Sequence, residues 1–281
     1  MKIKTTLIIA ILAFPFSLLA QEENDTIVKE TRKLERAAFE SYTLIENQSS
    51  VVNTKGTLDF MMQHRFGMVN GTNNMIGIWG AANIRIGVGY SLTDRLGISF
   101  GTTRDSRLQD FALKGAILRQ TRDNHVPVNV TYYGNAAYNA TTGVDFDKAS
   151  HRWSFFNQLI ISRRFNSVFS MQVAPSLSHA NLVKGNMENN LFAVAVGGKV
   201  KITPSTSLLI DYSQPITKYT SNSPKPGVGI GGEFSTGSHA FQLFITNYKG
   251  ILPQQSYMNN QNDFFKGDFM IGFNITRLWH M

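Results

Sequence analysis

The sequence carries six histidines and nine tyrosines but no cysteine, which bounds the chemistry open to it. There is no disulfide, no thiolate metal site and no cysteine nucleophile. His64 is the best general-base candidate. It lies in an alternating stretch, Leu58–Phe66, whose parity turns it to the apolar side with Leu58, Phe60, Met62 and Phe66. A lipid hydrolase or acyltransferase would need a serine within its reach and a third group to orient the ring. No serine or asparagine is placed to meet it. A rim histidine bonded to a loop carbonyl is the expected role, and no enzymatic activity is expected. His125, His151, His179 and His239 fall at turns or loop edges, and His280 in the tail. No two histidines stand two or four residues apart, so neither a metal nor any other cofactor is expected. Gly227-Val-Gly-Ile-Gly-Gly232 has the look of a dinucleotide loop but no strand-to-helix setting. It reads as a strand with a small-residue face.

A second group of reactive side chains alternates with apolar residues. It comprises Asp59, Arg65, Arg85, Asp110, Lys114, Lys199, Lys201, Asp211 and Glu233, with Gln63 and Asn83. If the apolar partners face lipid, these residues line a lumen. Buried charge is costly unless paired or hydrated. They either set the selectivity of a wet pore or pair across a lumen packed shut. Both signs are present in similar number, so no single-sign filter is expected, and a narrow or occluded conduit is.

The elements that position these residues have a period of two, the signature of strands. Alternation runs through Leu58–Phe66, Ile78–Tyr90, Leu96–Gly101, Asp110–Ile117, Val128–Tyr133, Phe155–Ile161, Phe169–Leu177, Phe192–Ile202, Ser207–Tyr212, Val228–Phe234, Ala240–Thr246 and Asp268–Trp279. Asn157 fits its apolar face poorly. These segments make about twelve strands, each long enough to cross a bilayer at a tilt. Short connections, such as Asn166-Ser167 and Thr203–Thr206, alternate with long ones. The long ones include Tyr138–His151, Ala180–Asn189, Gln214–Pro226 and Tyr248–Lys266. That rhythm is the one of an outer-membrane barrel with both ends in the periplasm. Tyr90, Phe165, Phe234 and Trp279 fall at the short-turn ends, where an aromatic girdle is expected at the membrane interface. A secreted β-sandwich would also alternate, but its polar face would be rich in Lys, Glu and Thr. Here that face is mostly Gly, Ala, Ser and Asn. The fold expected is therefore all-β, a transmembrane antiparallel up-and-down β-barrel over 55–281, closed by Asp268–Trp279 against Leu58–Phe66.

Before the barrel come two other segments. Lys2 and Lys4, the apolar run Leu7–Phe16 and Ala20 before Gln21 read as a cleaved signal peptide over 1–20. Residues 21–54 read as a periplasmic segment, with a short helix over Thr26–Glu40 and then a loop, outside the barrel or in its mouth. Of the formal charge of +8, Lys2 and Lys4 belong to the leader. The remaining basic residues are scattered singly, which argues against nucleic acid. Mean hydropathy is −0.13, as expected for a barrel, whose signal per strand is weak.

Three stretches resemble a known family. They are Gly56-Thr-Leu-Asp-Phe with His64-Arg-Phe-Gly67, Asn83-Ile-Arg-Ile-Gly-Val-Gly-Tyr-Ser-Leu-Thr-Asp-Arg95, and Leu108-Gln-Asp-Phe-Ala-Leu-Lys114 with Ile117-Leu-Arg-Gln120. They are similar to the DUF5777 β-barrel family of Bacteroidetes-type bacteria, over roughly 55–281. The resemblance implies an outer-membrane barrel and no particular activity. The expected partners are outer-membrane lipid and the barrel-assembly machinery, the latter through Asp268–Trp279. The expected function is porin-like transport of small solutes. The alternatives are a non-conducting barrel that recruits a protein partner through loops such as Tyr248–Lys266, and a lipid-modifying enzyme at the rim.

Overall fold

The computed structural model describes residues 32–69, 74–143 and 145–281. The expected leader over 1–20 and the part of the expected helix before Arg32 lie outside these residues.

Two short strands, β1 (Thr43–Leu44) and β2 (Asn47–Gln48), pair as a hairpin. Twelve longer ones follow: β3 (Thr57–Met68), β4 (Asn83–Thr93), β5 (Leu96–Thr103), β6 (Leu108–Leu118), β7 (Asn129–Asn139), β8 (Trp153–Arg164), β9 (Phe169–Ala180), β10 (Asn190–Lys201), β11 (Thr206–Pro215), β12 (Gly227–Ser235), β13 (His239–Thr246) and β14 (Met270–His280). Each pairs antiparallel with its neighbours in the sequence, and β14 pairs with β3, so the barrel has no open edge. Trp279 stands opposite Leu58 in that closing ladder. Among the described residues no helix is long and apolar enough to cross a membrane; the strands cross it.

Burial follows the period of two. On β10, Phe192 and Val200 are exposed while Ala193, Ala195 and Lys199 are buried. The residues exposed outside are mostly the greasy ones, and those buried inside are mostly small or polar, with a minority of large apolar side chains such as Phe156, Ile160, Leu191, Leu209 and Phe244. Asn157 sits on the outer face of β8, and the Tyr132 hydroxyl of β7 donates to its Oδ1 at 2.5 Å. A cross-strand hydrogen bond thus satisfies the amide that fitted poorly.

Two segments differ from expectation. Alternation from Ile78 predicts a strand there, but β4 begins at Asn83 and residues 75–79 form a turn. Gly67, Gly77 and Gly80 approach so closely that a Cβ on any of them would overlap backbone, and Met75, Ile76 and Gly77 all have positive φ. Trp79 is left 72% exposed beyond the barrel wall. The second difference concerns 33–54, expected as a short helix and a loop outside the barrel or in its mouth. Lys33–Glu40 forms no helix. Leu34 makes an antiparallel bridge with Thr121, so the chain enters along the turn joining β6 and β7. From Ala38 to Ser50 it is largely buried inside the barrel.

Candidate functional site in the barrel lumen

The bore is filled from both ends. From the short-turn end, the β1–β2 hairpin runs up the lumen and turns at Ile45 and Glu46. From the long-loop end, the connection between β13 and β14 folds inward. It carries a short helix, α1 (Pro253–Asn259), whose Pro253, Gln254, Ser256, Tyr257 and Met258 are buried. Pro253 opens the helix, where its missing N–H costs nothing. The loop expected to recruit a partner is thus largely spent inside the barrel, although Phe265 beyond α1 is 84% exposed.

The hairpin tip is held by charge. Arg65 is completely buried and grips Glu46 with two hydrogen bonds, Nε to Oε1 at 2.9 Å and Nη2 to Oε2 at 3.0 Å. Its Nη1 donates to Asn274 Oδ1 at 3.0 Å, and its guanidinium lies 4.5 Å from the Phe244 ring centre. Such a bidentate pair is geometrically specific. Asp211 of β11 accepts the backbone N–H groups of Glu46 and Asn47, both at 2.9 Å, and the Asn47 amide. Ile45 has φ +59°, a conformation costly for a β-branched residue. Its carbonyl accepts from Asn274 at 2.9 Å, and its side chain sits against Gly229, where a Cβ would come within 2.8 Å. Leu44 likewise occupies the space a Cβ on Gly197 would fill. Gly197 of β10 and Gly227 and Gly229 of β12 are therefore a mould for the hairpin and for Tyr248.

Lower in the bore the same pattern holds. Lys199 and Lys201 reach Glu40 at 3.3 and 3.4 Å. Burial pushes the Glu40 carboxyl up, but the two ammonium groups outweigh it and hold it below its ordinary value. Glu233 accepts from Ser41 at 2.5 Å and from Gln242 at 2.8 Å. Lys114 donates to the carbonyls of Tyr42 and Ser49, at 2.9 and 3.2 Å, and stands over the Tyr42 ring. Among the described residues only Arg85 and Asp110 make an ion pair between two wall strands, at 2.7 Å, with Asn135 and Gln63 beside them. Asn83 donates to the Lys249 carbonyl of the outer loop.

Asp59 is the exception. It is buried and its carboxylate makes no hydrogen bond or ion pair among the described residues, although Lys114 and Arg85 act on it electrostatically. With Tyr42, Gln63, Arg85 and Lys114 it borders a cavity of about 40 Å³ beside the hairpin. That volume has room for a few waters.

The outer plug is held differently. Tyr257 packs edge-on to Phe156 and near Tyr248, in a cluster with Tyr133, Ile160, Leu191 and Met258. Its hydroxyl donates to Asn47 of the hairpin, so the two plugs touch. Burial, then the nearby Asp211, push that hydroxyl well above its ordinary range, so it stays a neutral donor. Gln254 donates to Asn135 at 2.8 Å.

Of the residues predicted to line the lumen, Asp59, Gln63, Arg65, Asn83, Arg85, Asp110, Lys114, Lys199, Asp211 and Glu233 are buried inside the barrel, and Lys201 is half-buried near its mouth. Arg65, Lys114 and Asp211 are engaged by the hairpin and Lys199, Lys201 and Glu233 by the residues leading into it, whereas Arg85, Asp110 and Gln63 meet one another on the wall. Sequence reasoning missed Glu40, Tyr42, Glu46 and Asn47. It also missed the inward aromatics Tyr133, Phe156 and Phe244. One signal was available: the inward positions hold five basic residues against four acids, and Glu40 and Glu46 precede the barrel.

Tyr90, Phe165, Phe234 and Trp279 are exposed at the short-turn ends. Arg277 lies 4.9 Å from the Trp279 ring centre and Arg163 5.5 Å from that of Phe165. Among the described residues His64 bonds no loop carbonyl. Its ring stacks on Phe273 at 5.0 Å, and its Nδ1 has no hydrogen-bond partner. Among the described residues no three His, Asp or Glu side chains are grouped as a metal site.

A closed antiparallel barrel with an outward apolar belt and a polar, filled interior defines a membrane β-barrel. The DUF5777 model, described as a membrane-bound β-barrel domain, matches residues 39–279, so the match includes the hairpin as well as the wall. The chain belongs to that family. No curated protein matches it. Among solved structures, it is similar to an outer membrane channel from Pseudomonas putida F1 (11% identity, 82% of this chain and 97% of that one, TM-score 0.47). It is also similar to Omp33 of Acinetobacter baumannii (11%, 81% and 100%, TM-score 0.42). At these values the likenesses carry no conclusion about this chain.

Proposed function

We propose that the chain is an outer-membrane barrel holding a small-solute conduit closed at rest, with the β1–β2 hairpin as the removable part. One observation carries this reading. The wall behind the hairpin is polar on nearly every strand, and apart from Leu44 and Ile45 the hairpin meets it through ions and amides. Water can replace such partners, so withdrawing the hairpin leaves a bore that hydrates rather than collapses. A wall built only to be filled would do better with apolar packing, since buried ion pairs are often no more stable than hydrophobic replacements. The water-sized gap beside Asp59 supports the same reading.

A second reading, a permanently closed barrel, is favoured by the complete burial of Arg65. Planar-bilayer recording separates the two. The full chain is expected to show no steady conductance. A variant lacking residues 41–50, shown folded by heat-modifiable gel migration, is expected to conduct continuously. A folded deletion variant that stays silent overturns the conduit. No enzymatic role is proposed, because the His64 ring stacks on Phe273 and meets Phe66 edge-on, with no hydrogen bond to a serine among the described residues.

A further inference from the structure

Above the outer plug, residues 145–152 and 181–189 lean over α1 and leave an open vestibule of about 440 Å³. That volume is in the range of small-molecule sites. Trp153, Phe146, Leu182, Val183, Met187 and Met258 supply an apolar wall. The titratable side chains lining it are His151, Arg152 and Lys184; neither Asp nor Glu is among them. Arg152 is committed to the Asn139 and Thr141 carbonyls and to the Phe146 ring. Lys184 is exposed, and its ammonium makes no hydrogen bond or ion pair among the described residues. Two further side chains on the lining carry buried polar atoms without partners among the described residues, Nδ1 of His151 and Oε1 of Gln255.

We propose that this vestibule binds amphipathic organic anions, the apolar body against Trp153 and Met258 and the anionic head at Lys184. The apolar wall favours a ligand with an apolar body over an inorganic ion, and the exclusively basic lining selects against cations. This assignment builds on the conduit reading by naming its solute class, but the binding itself does not require the lumen to open. The placement also connects it to the plug. Gln254, Gln255, Met258 and Asn259, one face of α1, border the vestibule, while Tyr257 leaves from another flank to Asn47. An occupant therefore bears on the helix that holds the hairpin tip. It shifts the closed state to the extent that it binds the two arrangements unequally.

The test is calorimetric titration of the full chain in lipid nanodiscs. The probe is 2-naphthoate, with 2-naphthalenemethanol as its neutral analogue and empty nanodiscs to subtract lipid partition. Saturable naphthoate binding is expected, tighter than that of the alcohol. Lys184→Glu is expected to weaken naphthoate by about fivefold, the scale of an exposed ion pair, and to leave the alcohol unchanged. Leu182→Glu, also on an exposed loop, is expected to weaken both. No saturable naphthoate binding overturns the site, as does unchanged affinity in both variants. Equal affinity for the alcohol overturns the anion class. Conductance of the 41–50 deletion is read separately. Binding without conductance removes the conduit and leaves the site, and conductance without binding does the reverse.

Discussion

The hairpin that fills the barrel from below and the loop that fills it from above bury similar kinds of backbone but are held by different forces. The hairpin carries Glu40 and Glu46 to three wall cations and hangs its backbone on Asp211 and Lys114. Its apolar contribution is a small cluster of Ala38, Phe39, Leu44, Ile45, Leu209 and Phe244. The outer loop makes no ion pair with the wall among the described residues. Tyr248, Tyr257 and Met258 pack it against Phe156, Ile160 and Leu191, with amide hydrogen bonds around them. Aromatic packing is stable and indifferent to pH and salt. Ionic mating in a confined lumen is specific, and costly to break one partner at a time. The contrast assigns the outer loop to a fixed lid and the hairpin to a latch.

Arg65→Ala strikes the latch hardest. It leaves the Glu46 carboxylate buried without its partner, and about 3–5 kcal/mol of stability should be lost, measured by urea unfolding in detergent. Glu46→Gln combined with Arg65→Met should recover most of that; if it does not, packing rather than charge holds the hairpin. Gly197→Val adds methyl groups where Leu44 sits. About 1–3 kcal/mol of overpacking is expected, relieved by expulsion of the hairpin and seen as new conductance in a barrel that still migrates as folded. Tyr257→Phe removes the hydroxyl joining lid to latch while keeping the ring. About 1 kcal/mol is expected, well below the Arg65 effect. Equal losses in the two variants would erase the distinction between the plugs. Glu40 gives the smallest effect. Its carboxyl is depressed in the folded chain, so its contribution is present above the ordinary Glu value, about 4.3, and fades as pH falls through the lower folded value. Stability followed from pH 7 to pH 3 should fall less steeply in Glu40→Gln than in the unaltered chain.

Much of the architecture was legible because the barrel wall repeats a local rule. A strand that faces lipid on one side and a lumen on the other must alternate, and a closed antiparallel barrel must alternate its turns. Those two rhythms sufficed for twelve strands and for the pairing of β14 with β3. The failure at Ile78 has the same origin in reverse: Ile78–Ala82 alternates by composition, but three close-packed glycines and positive φ values turn the backbone instead. The fate of 33–54 was not legible. A short segment with sparse apolar residues looks solvated by any window of sequence. It is buried because Gly197, Gly229, Arg65, Lys199 and Asp211, spread over more than half the chain, happen to converge on it.

The sequence by itself determined the wall: the alternation, the inward charges, the exposed aromatics at the short-turn ends and the strand that closes the barrel. Each of these depends on neighbours two residues away or on the next turn. Only the tertiary structure decided what the inward charges do. Arg65 is 19 residues from Glu46, and Asp211 is 164 from Asn47, and nothing local couples either pair. Whether a ring of mixed charges surrounds water or grips a second piece of the same chain depends on the width of the bore and on which segments can reach into it, and both exist only once the barrel has closed.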